Sequence, residues 1–262
     1  MKRAALHIED ACARAALAGA YRLPTEPICL PDDFKRIYCH HLRKTGGSTM
    51  AHAFLGLGGE EAGLVERRLK RRPFCTASGG YRFVHDDLPL LRRGDYFFGY
   101  SHQPSYRVRL PELTFTFTIL RDPAERVISL YRYLADPRAD EGQAFEAPDH
   151  ERGWARKGFG NFLACLPVRD LRNQLYTFSG SGSVPEAAER ILACDLIMRT
   201  ESLDHGIGKM AKYLGVPLTA QRTRQSIFDF RPTGAERERL RELLEPEYQL
   251  LTLLNSAGRA LL

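Results

Sequence analysis

A short apolar run, followed at once by a glycine pair and then by a segment able to form a helix, restricts what this chain can become. Residues 36–54 read RIYCHHLRKTGGSTMAHAF. Ile37 to Leu42 has the composition of a buried strand, and Lys44-Thr45-Gly46-Gly47-Ser48-Thr49 turns the chain into a helix start. A strand, a glycine turn and a helix start in this order aim several backbone N–H groups and the positive helix end at one place. Phosphate or sulfate suits such a cradle, and Lys44 adds a mobile cation. In the nucleotide-triphosphate loop the lysine follows the second glycine; here Lys44 precedes Gly46 and Gly47. No apolar run ending in Asp stands ready to hold magnesium, because Leu120 is followed by Arg121 before Asp122. The expectation is an anion site with no metal. The plainer alternative is a Gly-Gly turn before a helix capped by Ser48, with Lys44 in solvent.

A second segment, TFTFTILRDPAERVISLYRYL over 114–134, has the same order of elements. Residues 114–120 alternate and then run apolar, as a buried strand does. Asp122 can cap a helix and Pro123 suits its first turn. Val127, Leu130, Tyr131 and Leu134 recur at helical spacing. Arg121 thus falls at the carboxyl end of a strand, with Ser129 about two turns into the helix. Open α/β sheets bind ligands at this edge. The alternative is an Arg121 paired with a nearby acid and a Ser129 that only packs.

Together the two segments resemble the sulfotransferases that use 3′-phosphoadenosine-5′-phosphosulfate (PAPS). The likeness is to the carbohydrate branch, which includes the heparan sulfate 2-O-sulfotransferases and their bacterial relatives. It rests on Lys44 to Thr49 and on Arg121-Asp122-Pro123 with Ser129 and Tyr131. Weaker echoes are Asn173-Gln174-Leu175, Phe178-Ser179-Gly180, the strand-like Leu196 to Glu201, and Glu247-Tyr248 in a last helix. The family usually has proline where this chain has Arg43, a change that adds positive charge.

The resemblance implies a P-loop-like α/β three-layer sandwich: a central, mostly parallel sheet flanked by helices, with extra C-terminal helices. It implies a donor held at Lys44, Thr45, Gly46, Gly47, Ser48 and Thr49 around the 5′-phosphosulfate. Arg121 and Ser129 would hold the 3′-phosphate, and Arg222 or Arg224 would reach it from a late loop. Lys44 would stabilise the leaving oxygen. His102, in Gly99-Tyr100-Ser101-His102 just past an expected strand at 95–100, is the leading general base. His85 is the second choice, and Asp86 or Asp87 stay open because many sulfotransferases use a carboxylate. His40 and His41 precede the anion loop; one of them can face the site, and one or both pack against the sheet. Arg92, Arg93, Arg107 and Arg109 are candidates for meeting acidic groups of a carbohydrate acceptor. Two other classes remain: a nucleotide phosphotransferase, and a nucleotide- or glycan-binding module without catalysis.

The bulk properties fit one enzyme domain over 1–262. The chain has 44% hydrophobic and 27% charged residues, the balance of a globular protein with a full core. A net charge of +6 and a pI near 9.0 favour anionic partners. No helix-turn-helix, zinc or RNA-binding aromatic signature points to nucleic acid. The six cysteines, Cys12, Cys29, Cys39, Cys75, Cys165 and Cys194, form no C-x-x-C pair, as suits buried thiols in a reducing compartment. No apolar run reaches the ~18 residues of a membrane helix. His7, Glu9 and Asp10 interrupt any signal-peptide core. The expectation is a cytoplasmic protein of bacterial type. Residues 1–33 read as a surface helix and an extended, proline-marked lead-in, and 136–153 as a mobile loop.

Overall fold

The computed structural model describes residues 29–137, 148–220 and 228–258; the helix expected over 3–20 lies outside them. Alternation builds the centre of the sheet. Strand β1 (Arg36–His40) turns Ile37 and Cys39 to one face and Tyr38 to the other. His40 follows Tyr38 and packs its ring on Tyr38 and Phe178. The remaining strands are β2 (Cys75–Ser78), β3 (Tyr81–His85), β4 (Phe98–Ser101), β5 (Thr114–Leu120) and β6 (Leu196–Arg199). They form one sheet in the order β2-β3-β4-β1-β5-β6. Only β2 runs antiparallel to its neighbour; the other pairings are parallel. A parallel sheet needs cover on both faces.

Between and after the strands run α1 (Gly47–Leu55), α2 (Ala62–Leu69), α3 (Leu88–Arg93), α4 (Pro123–Ala135), α5 (Asp149–Arg156) and α6 (Phe159–Cys165). Then come α7 (Val168–Leu171), α8 (Asn173–Phe178), α9 (Val184–Leu192), α10 (Leu203–Leu214), α11 (Gly234–Leu243) and α12 (Glu245–Ser256). Helices α1, α2 and α10 share a core with Phe83, Phe98, Phe115 and Phe117 of the sheet. Helices α8, α9 and α12 pack around Leu120 and Ile197 from the opposite face, and Leu91 of α3 joins Tyr38 and Val84 there. The fold is therefore the expected α/β sandwich with a mostly parallel central sheet.

A further cluster joins α4, α5, α6 and α11 through Val127, Leu130, Ala155, Phe162 and Leu240. Trp154 of α5 packs against this cluster and meets the His150 ring at 4.9 Å. Most of the loop expected over 136–153 lies outside the described residues; its last part, 149–153, belongs to helix α5, where Glu151 is buried. A local reading sees only the polar composition of DHERGWAR, whereas a distant ion pair described below gives Glu151 its partner. Asp122 does cap α4, accepting from the Glu125 amide at 2.9 Å, with Pro123 at the first helical position. Among the described residues Cys29, Cys39, Cys75, Cys165 and Cys194 are all free thiols. Only Cys39 and Cys194 are buried. No helix among the described residues is long and apolar enough to cross a membrane.

Phe54 of α1 stacks on Phe98 at 4.1 Å between ring centroids and is fully buried. Phe54→Ala is expected to lower the unfolding free energy by about 3–5 kcal/mol. Urea denaturation checks this; a loss below about 1 kcal/mol would mean that α1 does not depend on this stack.

Candidate functional site

Strands β1 and β5 pair in parallel register from Arg36 opposite Thr114 to His40 opposite Thr118. The two loops that follow them leave the sheet side by side at its carboxyl edge. They open into one cavity of about 460 Å³, within the range of small-ligand sites. Lys44, Gly46, Gly47, Ser48 and Thr49 line it from the first loop, and Arg121 and Ser129 from the second.

The first loop is bent beyond what most residues accept. Lys44 has φ 70° and Gly46 φ 90°, and only glycine takes such values at little cost. Gly46 precedes α1 with no side-chain cap, so Ser48 lies inside the first turn instead of capping it. The first intrahelical bond runs from the Met50 amide to the Gly46 carbonyl at 3.2 Å. The amides of Gly47, Ser48 and Thr49 therefore have no acceptor within the helix. A β-carbon on Gly46 would lie 2.7 Å from Leu203, and one on Gly47 would overlap the His41 imidazole. The cradle exists because both positions lack side chains. Thr45 departs from the expected donor contacts. Its side chain is fully buried, its hydroxyl donates to the Leu42 carbonyl at 3.1 Å, and it does not line the cavity.

Three contacts join the loops. An Arg121 guanidinium nitrogen donates to the Lys44 carbonyl at 3.1 Å. The Thr200 hydroxyl lies 2.6 Å from the Thr45 carbonyl and 3.1 Å from that of Leu120. Gln174 clamps the Arg121 backbone, accepting from its amide at 2.8 Å and donating to its carbonyl at 3.0 Å. Gln174 is held in turn by Glu247, whose carboxylate accepts from the Gln174 and Leu175 amides at 2.7 and 3.1 Å. Burial raises the Glu247 pKa, opposed chiefly by the charge of Arg126. Burial also lowers that of Arg121, yet a guanidinium stays protonated at any ordinary pH. Ser129 lines the cavity from α4, and Tyr133 does so one turn further on, with the Lys44 ammonium 4.2 Å from its ring centroid. Tyr131 points away, packed among Phe159, Phe162, Phe228 and Phe230.

The positive charge that Arg43 adds is paired with an acid. Arg43 lines the cavity, but its guanidinium makes a two-pronged pair with Glu151 at 2.9 and 2.6 Å. Its amide donates to the Asn173 side chain at 3.2 Å.

Across the cavity, His41, His85, Asp86 and His102 gather at the ends of β1, β3 and β4. His102 is exposed at the rim, and its Nδ1 lies 2.9 Å from the His41 carbonyl. A carbonyl can only accept, so Nδ1 carries the hydrogen and Nε2 is the basic nitrogen of the neutral ring. The surrounding protein lowers the His102 pKa by desolvation, and the Asp86 charge and the bond to His41 oppose this. Asp86, itself at φ 49°, accepts the His102 amide at 2.8 Å through Oδ1. Its Oδ2 lies 3.2 Å from Nε2 of His85. His85 thus already turns its Nε2 to a carboxylate. His40 lies in the sheet core, where burial pushes its pKa down to about 4. Asp87 caps α3 through the Leu90 amide at 2.9 Å and does not reach the cavity.

His85, Asp86 and His102 each bring one ligand-type atom within 4.8 Å of the others, a donor set that transition metals accept. Both Asp86 oxygens already have partners inside the cluster. Lys70, Glu66, Asp170 and Thr200 also line the cavity, and the sequence reading had not placed any of them there. Lys70 and Glu66 form an ion pair at 3.0 Å on one turn of the α2 end. Arg92, Arg93, Arg107 and Arg109 are exposed and lie off the cavity wall. Arg222 and Arg224 lie outside the described residues. No family model matches the chain, and neither does any curated protein.

Gly47→Ala is expected to destabilise the fold by about 1–3 kcal/mol through overlap with His41 and to weaken anion binding at least tenfold. Thermal unfolding and titration with inorganic sulfate or a phosphorylated nucleotide check it. Wild-type values in both would show that the cradle tolerates a side chain.

Proposed function

We propose that the chain is a PAPS-dependent sulfotransferase that transfers a sulfuryl group to a hydroxyl of a carbohydrate. One observation carries this reading. Lys44 and Arg121, from two loops 77 residues apart, share one cavity and touch through the Lys44 carbonyl. A donor with anionic groups at both ends needs two such cradles. The glycine loop, which no β-carbon could share, fits the compact phosphosulfate, and Arg121 with Ser129 fits the separate 3′-phosphate. The five free thiols of the described residues agree with a reducing, cytoplasmic setting.

Sulfuryl transfer needs in-line placement and stabilisation of charge on the leaving oxygen, as phosphoryl transfer does. The acceptor oxygen forms a bond to sulfur while the bond from sulfur to the phosphate oxygen breaks. The electron pair stays on that phosphate oxygen, where Lys44 and the amides of Gly47 to Thr49 offset the charge. The acceptor proton passes to Nε2 of His102, whose Nδ1 hydrogen stays on the His41 carbonyl. His102 is favoured over His85 because Nε2 of His85 is turned to Asp86. Asp86 holds the His102 main chain through its amide and faces the His85 ring. The scheme routes no step through a metal.

Calorimetric titration with 3′-phosphoadenosine-5′-phosphate, in parallel with ATP and magnesium, tests the donor. Binding of the former at least a hundredfold tighter is expected; preference for ATP with magnesium would move the protein to the phosphotransferases. Lys44→Ala is expected to lower kcat at least a hundredfold while changing product affinity only a few-fold. The acid limb of the kcat/KM profile is expected below pH 6.5. A lowered His102 pKa keeps the neutral base present above that point, and activity falls only as pH drops through it. A limb above pH 7, or full transfer by His102→Ala, would remove His102 from the mechanism. Dialysis against a chelator is expected to leave transfer unchanged. Loss restored by zinc would instead make a metal site of His85, Asp86 and His102.

A further inference from the structure

Lys44 carries its ammonium on a loop whose backbone is tightly bound. Its carbonyl is held by Arg121, and its neighbour Thr45 is buried and bonded at both its hydroxyl and its carbonyl. A lysine side chain has four rotatable bonds and a compact, strongly hydrated charge. Acids stand on the same cavity wall: Glu66, Asp86 and Asp170. An ammonium drawn to one of them would be lost to the anion cradle. The ammonium lies over the face of Tyr133, 4.2 Å from the ring centroid. The negative face of an aromatic ring attracts a cation without taking its proton or forming a tight ion pair.

The position of Tyr133 adds to this. It follows Ser129 by four residues on α4, so both face the cavity from adjacent turns of one helix. The next turn back begins at Asp122, the cap that fixes the helix start beside Arg121. Arg132 fastens the far end of α4 by donating to the Phe230 carbonyl at 2.9 and 2.6 Å. The ring is therefore carried by a helix fixed at both ends, and it lines the same cavity as both cradles.

We infer that Tyr133 is a positioning residue for Lys44. Its ring face holds the ammonium in the cavity that both cradles line, so that the charge is in place when the leaving oxygen becomes negative. This rests on the sulfotransferase reading, with Lys44 as the group that offsets that charge. The contact needs a ring face and not the phenol hydroxyl, so phenylalanine is expected to serve and leucine to fail.

A double-mutant cycle on the full chain tests it, with kcat for transfer from PAPS, affinity for 3′-phosphoadenosine-5′-phosphate and thermal midpoint read for each variant. Tyr133→Leu is expected to lower kcat about three- to tenfold, the size of a cation–π contact. Product affinity is expected to stay within about twofold, and Tyr133→Phe to keep kcat within about twofold of wild type. In a Lys44→Ala background, Tyr133→Leu is expected to add no further loss. A purely structural role would still add its loss there, and would lower the thermal midpoint and product affinity too. Additive losses, or a Phe variant as impaired as the Leu variant, would overturn the assignment and leave the sulfotransferase reading standing. Undiminished turnover by Lys44→Ala would remove both Lys44 from the chemistry and Tyr133 from its support. If Tyr133→Leu does not fold, Tyr133→Met and Tyr133→Phe provide the same comparison.

Discussion

The carboxyl ends of β1 and β5 lie side by side, and the Thr200 hydroxyl meets the Thr45 carbonyl of the loop after β1 and the Leu120 carbonyl at the end of β5. That contact, with Arg121 reaching the Lys44 carbonyl, converts two separate strand-to-helix turns into a single wall. Strand pairing alone would bring the loops within several ångströms, but it would not set their relative tilt. Buried carbonyls need donors, so the hydroxyl and the guanidinium satisfy the backbone while they fix the geometry. Behind them Gln174 and the buried Glu247 hold Arg121 from the other side. The cavity depends on this backing more than on the residues that face it.

The charge of the site is more balanced than a count of its cations suggests. Lys44, Arg43, Lys70 and Arg121 all reach the wall, but Glu151 takes up Arg43 and Glu66 takes up Lys70. Lys44, Arg121 and the amides of a helix start line the same wall. Glu151 holds the Arg43 guanidinium in a two-pronged pair beside the glycine cradle. That pair also binds α5 to the loop, so one wall of the site belongs to the helical cluster that lies beside the sheet.

Much of this was legible in the sequence, for physical reasons. Lys44, Gly46, Gly47, Ser48, Thr49, Arg121 and Ser129 are fixed by local chemistry: a strand, a turn that only glycine completes, and a capped helix. Where side chains depend on distant partners, local reading stops. Thr45 belongs to the same motif, yet Leu42 and Thr200 turn it inward. Arg43 looks free until Glu151, 108 residues later, arrives beside it. On α4 the apolar spacing groups Tyr131 with Val127, Leu130 and Leu134, and Tyr133 is left on the cavity side. Gln174, Thr200 and Glu247 stood in segments that echoed a known family, though nothing local explained their use. Strand β2 is four residues of an antiparallel edge with little apolar content, too weak a signal to read. Helix α3 was missed although Asp87 and Pro89 offered a cap and a first-turn proline.

Trp154 is the only tryptophan of the chain, and it sits on α5 one turn beyond Glu151, with the His150 ring against it. Its indole emission therefore comes from the helix that grips the anion loop through Arg43. Indole emission responds to the rings packed against it, and a shift of α5 would alter that contact. The molecule thus contains a native optical gauge of the loop's mooring, readable without any label.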